Sequence, residues 1–221
     1  MKRIVLVNPN TSAALTTLMV DIAREHAPAN VQIEGLTAAF GAPLITCDAE
    51  LDEATDAVRA LERELAQRAD AVIVSAFGDP GADELVRLLP LPVIGIAEAG
   101  MRTAAANGRR FAIVTHTGRL VKRMAQRAEE VGLGTHCVGV LATEGDPVAL
   151  MAAPAELERG LLALARRAVA ELGAQAIVVG GGPLGRSAIA LRGKVGVPVV
   201  EPIPEAVLHV TKAMGLATVT R

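Results

Sequence analysis

The chain contains no tryptophan and no tyrosine, and only 3 of its 221 residues are phenylalanine. Because single-stranded nucleic acids bind by stacking their bases on aromatic side chains, this composition essentially excludes such a platform. The 22 basic and 24 acidic residues nearly cancel, so the sequence also lacks the positive charge that favours binding to nucleic acid or an anionic membrane. These absences leave a small molecule as the expected partner, with no nucleic acid and no membrane.

Cysteine is scarce as well. Two residues, Cys47 and Cys137, are too few for a disulfide framework or a metal cluster, so we expect two reduced structural thiols and no metal. Lys2 and Arg3 lead directly into a short strand-like run without the long apolar core of a signal peptide, which predicts a cytoplasmic protein.

What the sequence does contain is a repeated alternation of β-branched runs with helical periodicity. The runs that predict strands in the first half are Ile4–Val7, Val31–Leu36, Ala71–Val74 and Leu91–Ile96. The apolar positions that predict one helix before the third strand are Ala54, Ala57, Val58, Leu61 and Leu65. Strands separated by helices predict right-handed crossovers in one parallel sheet, and therefore an α/β fold.

The same pattern restarts after Asn107-Gly108, a typical helix end. Three pairs of stretches align at offsets of 107, 105 and 106: Phe111–Gly118 with Ile4–Thr11, Ala176–Gly181 with Ala71–Ala76, and Val197–Val200 with Leu91–Ile94. Offsets that agree this closely predict an internal duplication. The predicted halves are residues 1–98 with 205–221 and residues 99–204, the last helix packing back on the first half.

Candidate functional residues follow the predicted strands, because ligands of open parallel sheets bind at the carboxyl ends of the strands. After the first strand, Asn8, Asn10 and Thr11 offer amide, hydroxyl and N–H groups that suit a carboxylate or cyclic amide, and that equally suit a helix cap. The third strand is followed by further candidate substrate-binding residues, Ser75, Ala76, Phe77 and Gly78. Backbone N–H groups there can stabilise an enolate or oxyanion.

Three titratable residues are candidates for acid–base chemistry, each with a structural alternative. Asp79 suits the N-cap of the helix that follows it or a catalytic acid or base. His116 is either a structural histidine or a catalytic one, and continued strand alternation would turn it away from its neighbours. Glu201, like Glu98, closes a predicted strand and is a candidate base or an ordinary surface carboxylate.

The second half supplies the matching binding candidates Thr115, Thr117, Gly181 and Gly182. Gly180–Gly185 fits the G-x-G-x-x-G pattern of dinucleotide sites, but Pro183 removes an N–H from the loop and the duplicate Ala76–Gly81 lacks the pattern. We therefore expect glycines that let the backbone approach a small ligand, and no cofactor. The duplication predicts a ligand held between the halves, with Ala76 opposite Gly181.

Four of these motifs together resemble hydantoin and allantoin racemases of the aspartate/glutamate racemase superfamily over nearly the whole length. They are Asn8–Ser12, Phe77–Gly81, Pro92–Ala99 and Gly180–Gly185. The resemblance implies two flavodoxin-like three-layer halves, an isomerase that needs no cofactor, and a homo-oligomer.

The sequence departs from this family at two positions. Racemases of this group use two cysteines, one at each symmetry-related strand end, as opposed acid and base, and the resemblance places them at Ala76 and Gly181. Neither a methyl group nor a hydrogen exchanges protons, so the two-thiol mechanism is excluded. Cys47, in a loop, and Cys137, in the predicted strand Thr135–Leu141, do not replace them.

Three hypotheses follow. The first is a racemase or epimerase that acts on a hydantoin-like cyclic amide or carboxylate through another base, His116, Asp79 or a glutamate. The second is a hydrolase or lyase that polarises a carbonyl in the same oxyanion pocket. The third is a non-catalytic binder, or an inactive form in which a cysteine was replaced. The Gly-Gly-Gly-Pro run around Gly181 argues against a deliberate replacement at both positions.

Overall fold

The structure, a computed structural model, describes residues 1–216 of the chain. These residues divide into two compact units. Unit 1 contains Met1–Ile45, Ala49–Ala99 and residues 203–216, and unit 2 contains Thr46–Asp48 and Gly100–Pro202. Residues 217–221, the end of the segment assigned above to the first half, lie outside the described residues. None of the helices within residues 1–216 has the length and apolar character needed to cross a membrane.

Strands and helices alternate along the chain. The first part contains β1 (Lys2–Asn8), α1 (Ala13–His26), β2 (Val31–Thr37), α2 (Asp48–Arg59), α3 (Glu62–Arg68), β3 (Ala71–Val74), α4 (Ala82–Leu88), β4 (Val93–Gly95) and α5 (Ile96–Ala104). The second part contains β5 (Phe111–Thr115), α6 (Val121–Glu130), β6 (Cys137–Ala142), α7 (Pro147–Ala152), α8 (Pro154–Leu172), β7 (Ala176–Val179), α9 (Gly185–Leu191), β8 (Val199–Val200) and α10 (Pro202–Ala213).

Each unit contains one four-stranded parallel sheet, and the two sheets have the same order. The order is β2-β1-β3-β4 in unit 1 and β6-β5-β7-β8 in unit 2. The α/β class predicted from the alternating pattern is confirmed. Because the connections leave β1 and β3, and likewise β5 and β7, in opposite directions, a ligand-binding crevice is expected beyond the carboxyl ends of each of these strand pairs.

Helices cover both faces of the unit 1 sheet. Ile4, Leu6 and Ile73 face one apolar cluster, which also contains residues of α1 and α10. The intervening residues Val5 and Val7 face a second cluster that contains residues of α2, α3 and α4. A parallel sheet buried on both sides explains why its strands are continuous apolar runs rather than alternating ones. In unit 2, one face of β5 and β7 packs against α8 and α9.

Two predicted elements differ from the structure. The single helix expected from the 54–65 stripe is two helices, since the N–H of Leu61 bonds to the carbonyl of Val58 three residues back and interrupts the regular spacing. Val58 and Leu65 nevertheless pack in the same cluster, which is why the stripe looked continuous. The fourth strand ends at Gly95 instead of Ile96, so Glu98 lies in the first turn of α5 and does not close a strand.

Candidate functional site

The loop after β1 in unit 1 is held by a buried amide network. The side-chain nitrogen of Asn8 lies 2.8 Å from Oδ1 of Asn10, 3.0 Å from the carbonyl oxygen of Ser12 and 2.9 Å from Oγ1 of Thr16. Oδ1 of Asn8 accepts from the N–H of Asn10. The helix cap is Ser12, whose Oγ accepts from the N–H of Leu15. The contacts of Asn8 and Asn10 therefore serve to shape this loop.

The segment after β3 presents backbone donors. Its first residue, Ser75, donates its hydroxyl to Sδ of Met19 and is buried. Within residues 1–216, the N–H groups of Ala76, Phe77 and Gly78 form no hydrogen bond. Gly78 has a φ of +137°, a conformation that glycine adopts without strain. Three successive N–H groups at a strand end suit the oxygen of an enolate or carboxylate.

Asp79 caps a helix, although a different one from the helix expected. Its two carboxylate oxygens accept from the N–H groups of Ala97, at 2.8 Å, and Glu98, at 2.9 Å, in the first turn of α5. Helix α4, which follows Asp79 in the sequence, begins after Gly81 without a side-chain cap. Local sequence could not identify the helix that Asp79 caps, because Ala97 and Glu98 lie 18 and 19 residues after it.

In unit 2 two hydroxyl groups join the ends of β5 and β7. Oγ1 of Thr115 donates to the carbonyl of Gly180 at 2.7 Å, and it also lies 3.0 Å from Oγ1 of Thr117. Because the single hydroxyl proton of Thr115 is used toward Gly180, Thr117 is the donor of the second bond. The hydroxyl protons of both threonines are therefore engaged, and a ligand would meet only their oxygens.

His116 lies next to these threonines and is 2% exposed. Neither ring nitrogen has a hydrogen-bond partner within the described part of the chain. Burial lowers the pKa of His116 to about 4, so the imidazole is neutral near pH 7. Strand β5 ends at Thr115, so the alternation that would turn His116 away does not extend to it.

Gly181 lies close to this imidazole. A Cβ atom placed on Gly181 would be 3.8 Å from Cε1 of His116 and 3.0 Å from Cγ and Cδ1 of Leu184. The backbone of Gly181 is extended, with a φ of 167°, which any residue adopts. Gly182 is buried and begins a short 3₁₀ turn that includes Pro183. The space beside residue 181 is thus bordered by a neutral, unpartnered imidazole.

The third acid–base candidate, Glu201, is 2% exposed and follows β8, the strand next to β7. Its Oε2 lies 3.3 Å from Nη2 of Arg192. The strand order therefore places His116, Gly181 and Glu201 at the carboxyl ends of the neighbouring strands β5, β7 and β8.

The two cysteines lie in other elements. Neither forms a disulfide. Cys137 is the first residue of β6, at the edge of its sheet, and burial raises the pKa of its thiol. Cys47 lies in the loop before α2. Residues 1–216 contain no group of three histidine, cysteine or acidic side chains arranged to hold a metal ion.

Sequence reasoning missed two residues that shape the site. Oγ1 of Thr16 accepts from the side-chain nitrogen of Asn8. Thr16 lies four residues after Ser12, the cap of α1, and this spacing, which places two residues on one helix face, was the signal in the sequence. Gly95 lies against the Asp79 carboxylate, so that a methyl group on Gly95 would overlap it. A glycine directly between a strand and a helix was the available signal.

Comparison with known proteins gives a consistent result. The family described as Asp/Glu/Hydantoin racemase matches residues 4–210. A hydantoin racemase from Paenarthrobacter aurescens is 30% identical over 96% of this chain and 90% of its own length. The crystal structure of allantoin racemase from Pseudomonas fluorescens superposes with a TM-score of 0.91 and 32% identity, covering 98% of this chain and 93% of the other. Allantoin racemase from Klebsiella pneumoniae gives a TM-score of 0.89 and 32% identity, covering 99% and 91%.

Proposed function

The chain belongs to the Asp/Glu/hydantoin racemase family, and on that premise we propose that it is a cofactor-independent racemase or epimerase of small hydantoin-like cyclic amides or carboxylates. The observation that carries this proposal is the match to the family over residues 4–210, with hydantoin and allantoin racemases among the relatives. The reaction removes a proton from the carbon next to a carbonyl and returns one to the opposite face.

The proposed route does not use cysteine. The resemblance assigns the two proton-exchanging thiols of the family to positions 76 and 181, which are Ala76 and Gly181 in this chain. We propose His116 as the base in their place. In support, the imidazole is neutral, both of its nitrogens lack a partner within residues 1–216, and it borders the space that a side chain at position 181 would enter.

The proposed reaction consists of two proton transfers at the carbon. A ring nitrogen of His116 takes the proton, and the electron pair of the broken C–H bond moves into the carbonyl, forming an enolate. Within unit 1, the N–H groups of Ala76, Phe77 and Gly78 are the donors suited to an enolate oxygen. Water then protonates the carbon on the other face, and the hydroxide so formed removes the proton from the imidazolium. Because the pKa of His116 is about 4, the imidazole is a weak base and the reaction is slow relative to a thiol-dependent one.

The other predicted site residues have unequal support. Glu201 is the second candidate for proton exchange, from the edge of the same sheet as His116. Asn10, Thr11, Thr117 and Gly182 stay candidates for substrate binding through their oxygen atoms or backbone N–H groups. Asn8, Ser75 and Thr115 act on the ligand through the loops that they hold. Assembly into a homo-oligomer and a cytoplasmic location remain predictions.

A single experiment tests this function. The protein is incubated in deuterated water with one enantiomer of a 5-substituted hydantoin, and optical rotation and deuterium at the ring carbon are measured together. We expect rotation to decay at the rate of deuterium uptake, faster than in buffer alone. In His116→Gln both rates fall by about a hundredfold or more, the usual contribution of a general base.

The matched control is His136→Gln. His136 belongs to the same unit, and its Nδ1 lies 3.2 Å from the carbonyl oxygen of Arg109, before β5 begins. It should leave both rates unchanged. A product of changed mass would support the hydrolase or lyase alternative. A ligand-dependent rise in melting temperature without exchange would support a non-catalytic binder.

A further inference from the structure

The segment that connects β3 with α4 has an unusual backbone. Gly78, Asp79 and Gly81 all have positive φ angles, of +137°, +51° and +75°. Glycine adopts such angles freely, but Asp79 is one of only two residues other than glycine that do so within residues 1–216. A left-handed conformation at such a residue persists only where surrounding contacts hold it.

The contacts that hold Asp79 come from its own side chain. Asp79 is 4% exposed, and its carboxylate oxygens accept from the N–H groups of Ala97 and Glu98. N–H groups in the first turn of a helix have no partner inside the helix, and the positive end of the helix dipole lies there. The side chain therefore attaches the 75–81 segment to the start of α5 through charge-assisted hydrogen bonds.

Gly95 makes this attachment sterically feasible. It is the last residue of β4, and a methyl group on it would overlap Cγ and Oδ1 of Asp79. The carboxylate thus lies directly against the backbone at the point where the strand becomes the helix. Any side chain at position 95 would push the carboxylate off the N–H groups of α5.

The main chain of Asp79 forms the turn itself. Its N–H donates to the carbonyl of Ala76 at 3.0 Å, and its own carbonyl accepts from the N–H of Ala82 at 3.1 Å. The residues enclosed by the first bond are Phe77 and Gly78, whose N–H groups, with that of Ala76, are the proposed enolate donors. A displacement of Asp79 would therefore move these donors.

We propose that Asp79 is a positioning residue: the clamp formed by Asp79, Gly95 and the first turn of α5 fixes the direction of the Ala76–Gly78 N–H groups, and Asp79 exchanges no proton. This inference rests on the proposed function, because the donors matter only if they receive an oxyanion. It differs from the acid–base role that the sequence suggested for Asp79.

The test uses two variants that break the clamp from opposite sides. Asp79→Asn keeps the shape of the side chain, but its N–H₂ group is a donor and cannot accept from one of the two α5 N–H groups. Gly95→Ala keeps the carboxylate but displaces it. Steady-state deuterium exchange is measured at a temperature at which circular dichroism shows each variant to be folded. Both should lower kcat tenfold to a hundredfold with the same pH profile as the wild type, and the double variant should be no worse than the single ones.

The matched control is Asp146→Asn. Asp146 also caps a helix, since its Oδ2 accepts from the N–H of Ala149 at 2.9 Å in α7, but it is exposed and belongs to unit 2. It should lower the melting temperature without changing kcat. Wild-type kcat and KM in folded Asp79→Asn would overturn the inference. So would complete loss of exchange in Asp79→Asn with normal exchange in Gly95→Ala, which would make Asp79 the catalytic acid or base.

A second measurement separates this inference from the proposed function. Amide hydrogen exchange of the 75–81 peptide, followed by mass spectrometry, should be faster in Asp79→Asn and in Gly95→Ala and unchanged in Asp146→Asn. If wild-type protein does not exchange the hydantoin proton, the proposed function fails, while the peptide data still report on the clamp. Unchanged peptide protection in both clamp variants would exclude the clamp itself.

Discussion

The two units have the same strand order but use their strand ends differently. In unit 1 the polar side chains satisfy one another: Asn8 contacts Asn10 and Thr16, and Asp79 caps α5, so that mainly backbone N–H groups remain. In unit 2 the threonines also bond internally, but His116 is buried with both ring nitrogens unpartnered within the described chain. Within residues 1–216, unit 1 thus retains unpaired backbone donors at its strand ends, whereas unit 2 retains a buried titratable side chain.

The largest effect should come from restoring thiols in both units. The double variant Ala76→Cys, Gly181→Cys should racemise a hydantoin at least a hundredfold faster than the wild type, since the resemblance assigns the two proton-exchanging thiols of the family to these positions. The backbone of Gly181 accepts a side chain, although Leu184 must move by a few tenths of an ångström. Chiral chromatography measures the rate. The racemisation rate of each single variant should rise much less than that of the double variant. An equal increase in a single variant and in the double variant would argue against an acid–base pair.

The second effect concerns pH and unit 2. Unfolded histidine has a pKa near 6.5, whereas burial lowers the pKa of folded His116 to about 4. As the pH falls, the unfolded state therefore binds the additional proton at a higher pH than the folded state does. The stability associated with neutral His116 is complete above pH 6.5 and declines as the pH falls toward 4, by about 3 kcal/mol in total. Urea denaturation of wild type and of His116→Gln measures this difference. Parallel pH curves for the two proteins would contradict the prediction.

A smaller effect distinguishes the equivalent strand ends directly. Asn8 and Thr115 occupy matching positions in the duplication, 107 residues apart. Asn8→Ala removes contacts with several buried groups and should lower the free energy of unfolding by about 2–3 kcal/mol, whereas Thr115→Val loses the bond to Gly180 and should cost about 1 kcal/mol. Chemical denaturation provides both values. A larger loss for Thr115→Val would reverse the comparison of the two units.

The smallest effect is expected at the native thiols. Cys47→Ala and Cys137→Ala, combined in one protein, should leave the deuterium-exchange rate within about twofold of the wild type, because neither residue follows β3 or β7. Alkylation of Cys137 by iodoacetamide should also be slow at pH 7, since burial raises the pKa of its thiol. A large loss of activity in the double variant would show that a cysteine-dependent route persists.

The sequence determined the alternating strands and helices, the repeat of one half in the other, and the family. Apolar β-branched runs that end in glycine, asparagine or threonine identify buried parallel strands and their functional ends, and these signals are local in the chain. The family membership inferred from motifs such as Phe77–Gly81 is confirmed over residues 4–210.

Only the tertiary structure decided what the polar residues at those ends contact. The partners of Asp79 are 18 and 19 residues away, and the neighbour of His116 is Gly181, 65 residues later. Burial is likewise a property of the packed fold: the same imidazole in a loop would have an ordinary pKa, whereas enclosure in unit 2 makes it neutral. Which groups are engaged by the protein and which remain for a ligand is therefore set by contacts between distant segments.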